Sequence, residues 1–181
     1  AEGELLQLQK ADCGDTCETD YYKIIYNKTA SLFVASAESA AISVGASDQK
    51  IKAVKTYAKC LGIAFQIRDD IFDYEDGADT GKPAGLDLKE RKITLPLLGA
   101  LAGVDAGTES RIRRMVCDID THSEYQKEIV AFVRERGGME YASRRLEEYV
   151  ENAKIALKPL GTRQEVSMLA DVAEFTAKRK S

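Results

Sequence analysis

The run Gly62-Ile-Ala-Phe-Gln-Ile-Arg-Asp-Asp-Ile-Phe-Asp-Tyr74 constrains this chain more than any other stretch, because it sets three carboxylates inside an otherwise apolar helical pattern. At about 100° per residue, Gly62, Gln66, Asp69, Asp70 and Asp73 fall within an arc of roughly 100°. Leu61, Ala64, Phe65 and Phe72 cover the far side, with Ile63, Ile67 and Ile71 on one flank. A helix apolar nearly all round is normally buried, so the polar strip is expected to face an internal cavity rather than bulk water. Acids at helical spacings repel one another and are costly to bury alone. A hard cation removes both problems. Magnesium suits the donors, since it is held by one or two carboxylates plus phosphate oxygens and keeps several waters. The competing reading, a solvated acidic face on a surface helix, is the commoner fate of a charge run, but here both flanks demand burial.

Few prolines, few aromatics other than Tyr, and abundant Ala, Glu, Lys and Leu favour helix throughout. No segment alternates convincingly as a strand, so the expected fold class is all-α, with helices long enough for a bundle. The 181 residues suit one domain over 1–181. A net charge of −4 argues against general nucleic-acid binding. No apolar stretch approaches a membrane span and Ala1 opens no signal-peptide pattern, which together point to the cytoplasm. Cys13, Cys17, Cys60, Cys117 and the single histidine, His122, form no zinc spacing, and the four cysteines read as free thiols in a reducing compartment.

Residues 1 to 10 read as the end of a helix that begins mid-pattern, as in a piece of a longer chain. Asp12 to Thr19 reads as a polar loop, with Thr19 or Asp20 as the next N-cap. One long helix is expected from about 20 to 46, where Lys28, Leu32, Ala35 and Ser39 share a face rich in small residues. A lone lysine such as Lys28 is more often a surface charge. Gly45 closes this helix and Asp48 caps the next, which carries Ile51, Val54, Tyr57, Ala58 and Leu61 into the acidic strip and stops near Asp76-Gly77. A Gly-rich loop with Lys82 follows, leading to Lys89, Arg91 and Lys92. The remainder reads as scaffold: Ile93 to Leu101, then helices over Thr108 to Asp118, Ser123 to Arg136, Gly137 to Leu157, and Val166 to Lys178.

Two tempting motifs fail. Gly77 to Lys82 is no phosphate-binding P-loop, because the first glycine is too close and Pro83 replaces the required Ser or Thr. A calcium loop counted from Asp73 puts Ala78 where the turn glycine belongs and Ala84 at the bidentate acid.

Three segments together resemble the trans-type polyprenyl (isoprenyl) diphosphate synthases. "YYKIIYNKTASLF" resembles that family's lysine–threonine helix, "GIAFQIRDDIFDY" its second aspartate-rich motif, and "GKPAGLDLKERKITLPLL" the loop and helix that follow. Their spacing agrees, as does Gly-Gly-x-x-x-Ala at Gly137 to Ala142. The resemblance covers nearly the whole chain, is strongest to medium- and long-chain members such as the octaprenyl diphosphate synthases, and implies the C-terminal part of such an enzyme. The first aspartate-rich motif, and the basic residues around it, have no counterpart here.

The resemblance implies condensation of an allylic diphosphate with isopentenyl diphosphate, in a complete enzyme that is a homodimer. It makes Asp69, Asp70 and Asp73 the magnesium site, with Asp70 in a supporting role. Lys28, Lys82 and Lys92 would hold the diphosphate, and Thr29 and Gln66 would direct oxygen dipoles at the developing allylic cation. The small-residue face would line part of a hydrocarbon tunnel. A terpene cyclase of the same fold and a non-catalytic partner subunit are the alternatives. The first does not usually carry this lysine–threonine set, and the second is expected to lose the aspartates.

Overall fold

The computed structural model describes residues 2–75 and 85–179, and every regular element among them is helical. The chain separates into two compact units. One comprises the stretch up to Ile24 with Asp69–Arg144, the other Ile25–Arg68 with the chain from Arg145 onward.

In the first unit, α1 (Glu2–Cys13) and α2 (Glu18–Ile25) are joined by a short loop. The N-cap of α2 is Cys17 rather than Thr19 or Asp20. Asp20, three residues into the turn, reaches back to accept the Cys17 backbone N–H at 3.2 Å, which is the return half of a capping box. The polar loop is correspondingly shorter than expected, because α1 continues to Cys13. Beyond Asp73 come α5 (Leu86–Lys89), a single turn not foreseen from the sequence, then α6 (Leu95–Leu101), α7 (Ala106–Cys117) and α8 (Glu124–Glu135). Asp105 starts α7 by accepting the N–H groups of Gly107 and Thr108. Helix α8 packs against α6 and α7, and α1 against α7. Leu95, Leu97, Ile112, Val116, Ile129 and Val133 form the buried centre. Gly138 lets the start of α9 (Gly138–Ala156) approach α6: a Cβ there would lie 2.2 Å from the Pro96 carbonyl oxygen.

The second unit is built on α3 (Ser31–Ser43), most of α4 (Asp48–Phe72), the rest of α9 and α10 (Gln164–Lys178). Ala53, Tyr57, Ala58, Leu61, Ala64 and Ile67 of α4 are buried, as are Leu146, Val150 and Ala153 of α9. The Tyr57 hydroxyl donates to the Leu169 carbonyl at 2.8 Å, tying α10 to α4. Helix α3 buries none of its residues, and Lys28, Leu32, Ala35 and Ser39 are all exposed. No helix among the described residues is long and apolar enough to cross a membrane.

The expected helix over 20 to 46 is not uniform. Tyr26–Ala30, which contains Lys28 and Thr29, is a π-helical turn between α2 and α3. Helix α4 ends at Phe72, with isolated turns through Glu75.

Candidate active site

The acidic cluster lies in the first unit, and its three carboxylates are not equivalent. Asp70 is 3% exposed and accepts a hydrogen bond of 2.6 Å from the Tyr21 hydroxyl. That length is typical of a hydroxyl bonded to an ionised carboxylate. Burial, then the Asp70 charge, pushes the Tyr21 hydroxyl well above its ordinary range, so it remains a protonated donor. Asp73 is half-buried and accepts the backbone N–H groups of Leu86 at 2.8 Å and Asp87 at 3.1 Å, while its own carbonyl takes the Gly85 N–H at 2.6 Å. It thereby fixes the start of α5. Burial first, and the neighbouring Asp87 charge second, raise the Asp73 carboxyl to about 6 against the pull of those two N–H groups and of Lys92. Asp69 is half-buried.

Lys92 donates to Asp87 at 3.0 Å and pairs with Glu90. Burial pulls its pKa down, but the hydrogen bonds to Glu90 and Asp87 outweigh it, and the ammonium is held above its ordinary value. Arg134 donates to the Tyr74 carbonyl at 2.7 Å, satisfying a backbone acceptor just past the end of α4. Lys89 is exposed. Lys82 lies outside the described residues.

In the second unit, the Thr29 hydroxyl donates to the Gln66 side-chain oxygen at 2.9 Å. Gly62, one turn before Gln66, makes this possible: a Cβ at 62 would stand 2.6 Å from the Ala30 Cα. The π-helical turn and α4 therefore touch backbone to backbone, at an irregularity of the kind that recurs at functional sites. Lys28, in the same turn, is exposed.

Asp70, Asp73 and Lys92 are thus brought into one cluster, and Thr29 and Gln66 into one contact. Two residues of that cluster escaped the sequence reading. Asp87, inside the quoted "GLDLKERK" stretch, links Asp73 to Lys92. Tyr21 shares the apolar face of α2 with Ile24 and Ile25, and a tyrosine on a core face requires a partner for its hydroxyl.

Among the described residues, no three Asp, Glu, His or Cys side chains converge to hold a metal ion by themselves. One oxygen of Asp70 is taken by Tyr21, and both oxygens of Asp73 accept backbone N–H groups. Each of those oxygens keeps a second lone pair, so the carboxylates remain able to share a cation without forming a closed cage. The arrangement fits a cation held by one or two carboxylates and completed by phosphate oxygens and water. The charge balance fits as well, since Asp70, Asp73 and Asp87 all bear on the same buried tyrosine, Tyr74, and Lys92 hydrogen-bonds one of them.

The sequence profile of the polyprenyl synthetase family matches residues 1–133. The chain belongs to the polyprenyl synthetase family. Among curated members of that family, the octaprenyl diphosphate synthase of Haemophilus influenzae is 34% identical over 180 residues, covering 99% of this chain and 54% of that protein. The all-trans-nonaprenyl-diphosphate synthase of Rhodobacter capsulatus is 40% identical over 161 residues, covering 88% of this chain and 49% of that one. The solved polyprenyl synthase of Roseobacter denitrificans superposes with a TM-score of 0.88 at 33% identity, covering 99% of this chain and 59% of that structure. The chain spans about half the length of the curated relatives it matches. The all-α fold and the polyprenyl synthetase resemblance expected from the motifs are both borne out.

Proposed function

We propose that the complete protein is a prenyltransferase that condenses an allylic diphosphate with isopentenyl diphosphate to give a polyprenyl diphosphate, with residues 1–181 as its C-terminal portion carrying the second aspartate-rich motif. The observation that best supports this is the cluster of Asp70, Asp73, Asp87 and Lys92 at the two segments that carry the family motifs. The slow demand of such a reaction is stabilising a departing diphosphate, and fixed charges in a shielded site meet it best.

Magnesium, when bound, supplies Lewis acidity to the leaving diphosphate. Asp69 and Asp73 would hold it, and Asp70 would support them from its bond to Tyr21. Lys28, Lys82 and Lys92 would donate charge-assisted hydrogen bonds to the same diphosphate, Lys92 by exchanging a carboxylate partner for a phosphate oxygen. Because the Thr29 hydroxyl gives its proton to Gln66, its oxygen has only lone pairs left for a further partner. That is the polarity an allylic cation requires. The proton lost at the end would go to the released diphosphate, with no histidine needed. His122 is exposed, beside Glu124 and stacked on Tyr125.

The test is incubation of the complete protein with labelled isopentenyl diphosphate, an allylic primer and magnesium, followed by extraction of prenyl products. Asp69→Asn is expected to lower turnover by about 10²–10³-fold, as removal of one preorganised electrostatic group does. Release of a cyclised hydrocarbon from the allylic diphosphate, without uptake of isopentenyl diphosphate, would overturn the proposal in favour of a terpene cyclase.

A further inference from the structure

The start of α2 is held in the first unit by ties that do not involve the acidic cluster. Arg113 of α7 donates to the Gly14 and Thr16 carbonyls at 3.1 and 3.0 Å, and the Tyr141 hydroxyl of α9 donates to Glu18 at 2.8 Å. Arg113 is itself oriented by Glu109 at 2.9 Å. Tyr21 lies one turn beyond this anchored point, fully buried and edge-on to Tyr22 with 5.3 Å between ring centroids. Its hydroxyl ends on Asp70. Helix α2 therefore does not depend on the Tyr21–Asp70 bond for its place. On the Asp70 side, loss of the hydroxyl takes a donor from a buried carboxylate, where a hydrogen bond to a charged group counts for most.

We propose that Tyr21 is a positioning residue for the aspartate-rich motif, its hydroxyl fixing the orientation of Asp70 so that the neighbouring carboxylates meet a magnesium–diphosphate complex in a set geometry. The proposal rests on the functional reading above. It adds a residue from outside the three motif acids, and a line of support running from Arg113 and Tyr141 through α2 to Asp70.

The test uses the complete protein, with magnesium and inorganic pyrophosphate as the probe, read by calorimetry well below the melting temperature. Tyr21→Phe keeps the ring and removes only the hydroxyl. It is expected to weaken magnesium-dependent pyrophosphate binding about tenfold, as loss of a hydrogen bond to a charged group does. Asp70→Asn and the double variant complete a cycle. In the Asp70→Asn background, Tyr21→Phe is expected to have at most a twofold effect, since residues acting through one contact are non-additive. A purely structural tyrosine would lower the melting temperature and leave the dissociation constant of the folded chain unchanged, and that result would overturn the proposal. So would equal effects of Tyr21→Phe in the two backgrounds, or loss of cooperative melting in Tyr21→Phe, because the bond would then be a requirement of the fold itself. Absence of magnesium-dependent pyrophosphate binding by the complete protein without substitution is a different outcome, overturning the functional reading and this proposal with it.

Discussion

Asp73 serves two ends that pull its carboxyl in opposite directions. Its oxygens accept the first N–H groups of α5, which favours the anion, yet burial beside Asp87 favours the acid and wins, raising the carboxyl to about 6. The ordinary value is 3.8, so the folded chain binds this proton more tightly than the unfolded chain does. The stabilising contribution of Asp73 is therefore fully present below about pH 4 and is lost as the pH rises through about 6. Urea melts of the parent chain and Asp73→Asn between pH 4 and pH 7.5 are expected to show the parent losing stability relative to the variant up to about pH 6.5, with a constant difference above. A difference that stays flat across the range would mean the carboxyl is not held up. At this scale the sequence separated the acids from their surroundings but not from one another. Helical angles put Asp69, Asp70 and Asp73 on one strip. Only long-range contacts, to Tyr21 across 49 positions and to Leu86 and Asp87 across 13 and 14, distinguish a buried supporting acid from one that organises a loop.

Helix positions were legible wherever a hydrophobic period of 3.6 ran uninterrupted, as in α4, α8 and α10. The turn holding Lys28 and Thr29 was not, because a π turn adds one residue while keeping the chain helical, and a pattern search reads straight through it. The start of α2 was misplaced for a related reason. Asp20 caps from inside the helix, so the residue with capping chemistry is not the one at the boundary. Gly62 is the element-scale key to the second unit, since it allows the π turn to rest on α4. Gly62→Ala would drive a methyl to 2.6 Å from the Ala30 Cα, a backbone atom that cannot swing aside. Overpacking of this kind costs about 1–3 kcal/mol. The expected result is a lowered melting temperature together with weaker magnesium–pyrophosphate binding, since Lys28, which would hold the diphosphate, lies in that π turn. Gly103→Ala, at a site with open space around it, is the control and is expected to change neither measurement.

At the scale of the whole molecule, two observations bear on what the chain does alone. It spans about half the length of the curated relatives it matches. It also presents apolar surface that a finished core would cover: Leu5 and Leu8 on α1, Leu32 (70% exposed) and Ile42 on α3, and Val44 (78% exposed) just beyond. A helix such as α3, apolar over most of its circumference yet burying nothing, belongs to an interior. Surface of this kind drives association, so the purified chain is expected to show concentration-dependent oligomers by light scattering, reduced in Leu32→Glu. Oligomer sizes unchanged by that substitution would place the association elsewhere. Prenyl elongation by the chain alone is expected to be absent, on separate grounds. The acids here supply one side of a cation cluster, while a diphosphate leaving as an anion needs positive charge around it. Groups that act as a unit lose more than their nominal share when divided. Binding of magnesium and pyrophosphate without elongation is the combined expectation, read by calorimetry and by extraction of labelled prenyl products from the same preparation. Robust elongation by the purified chain would show that 181 residues contain a second metal site that these carboxylates do not account for.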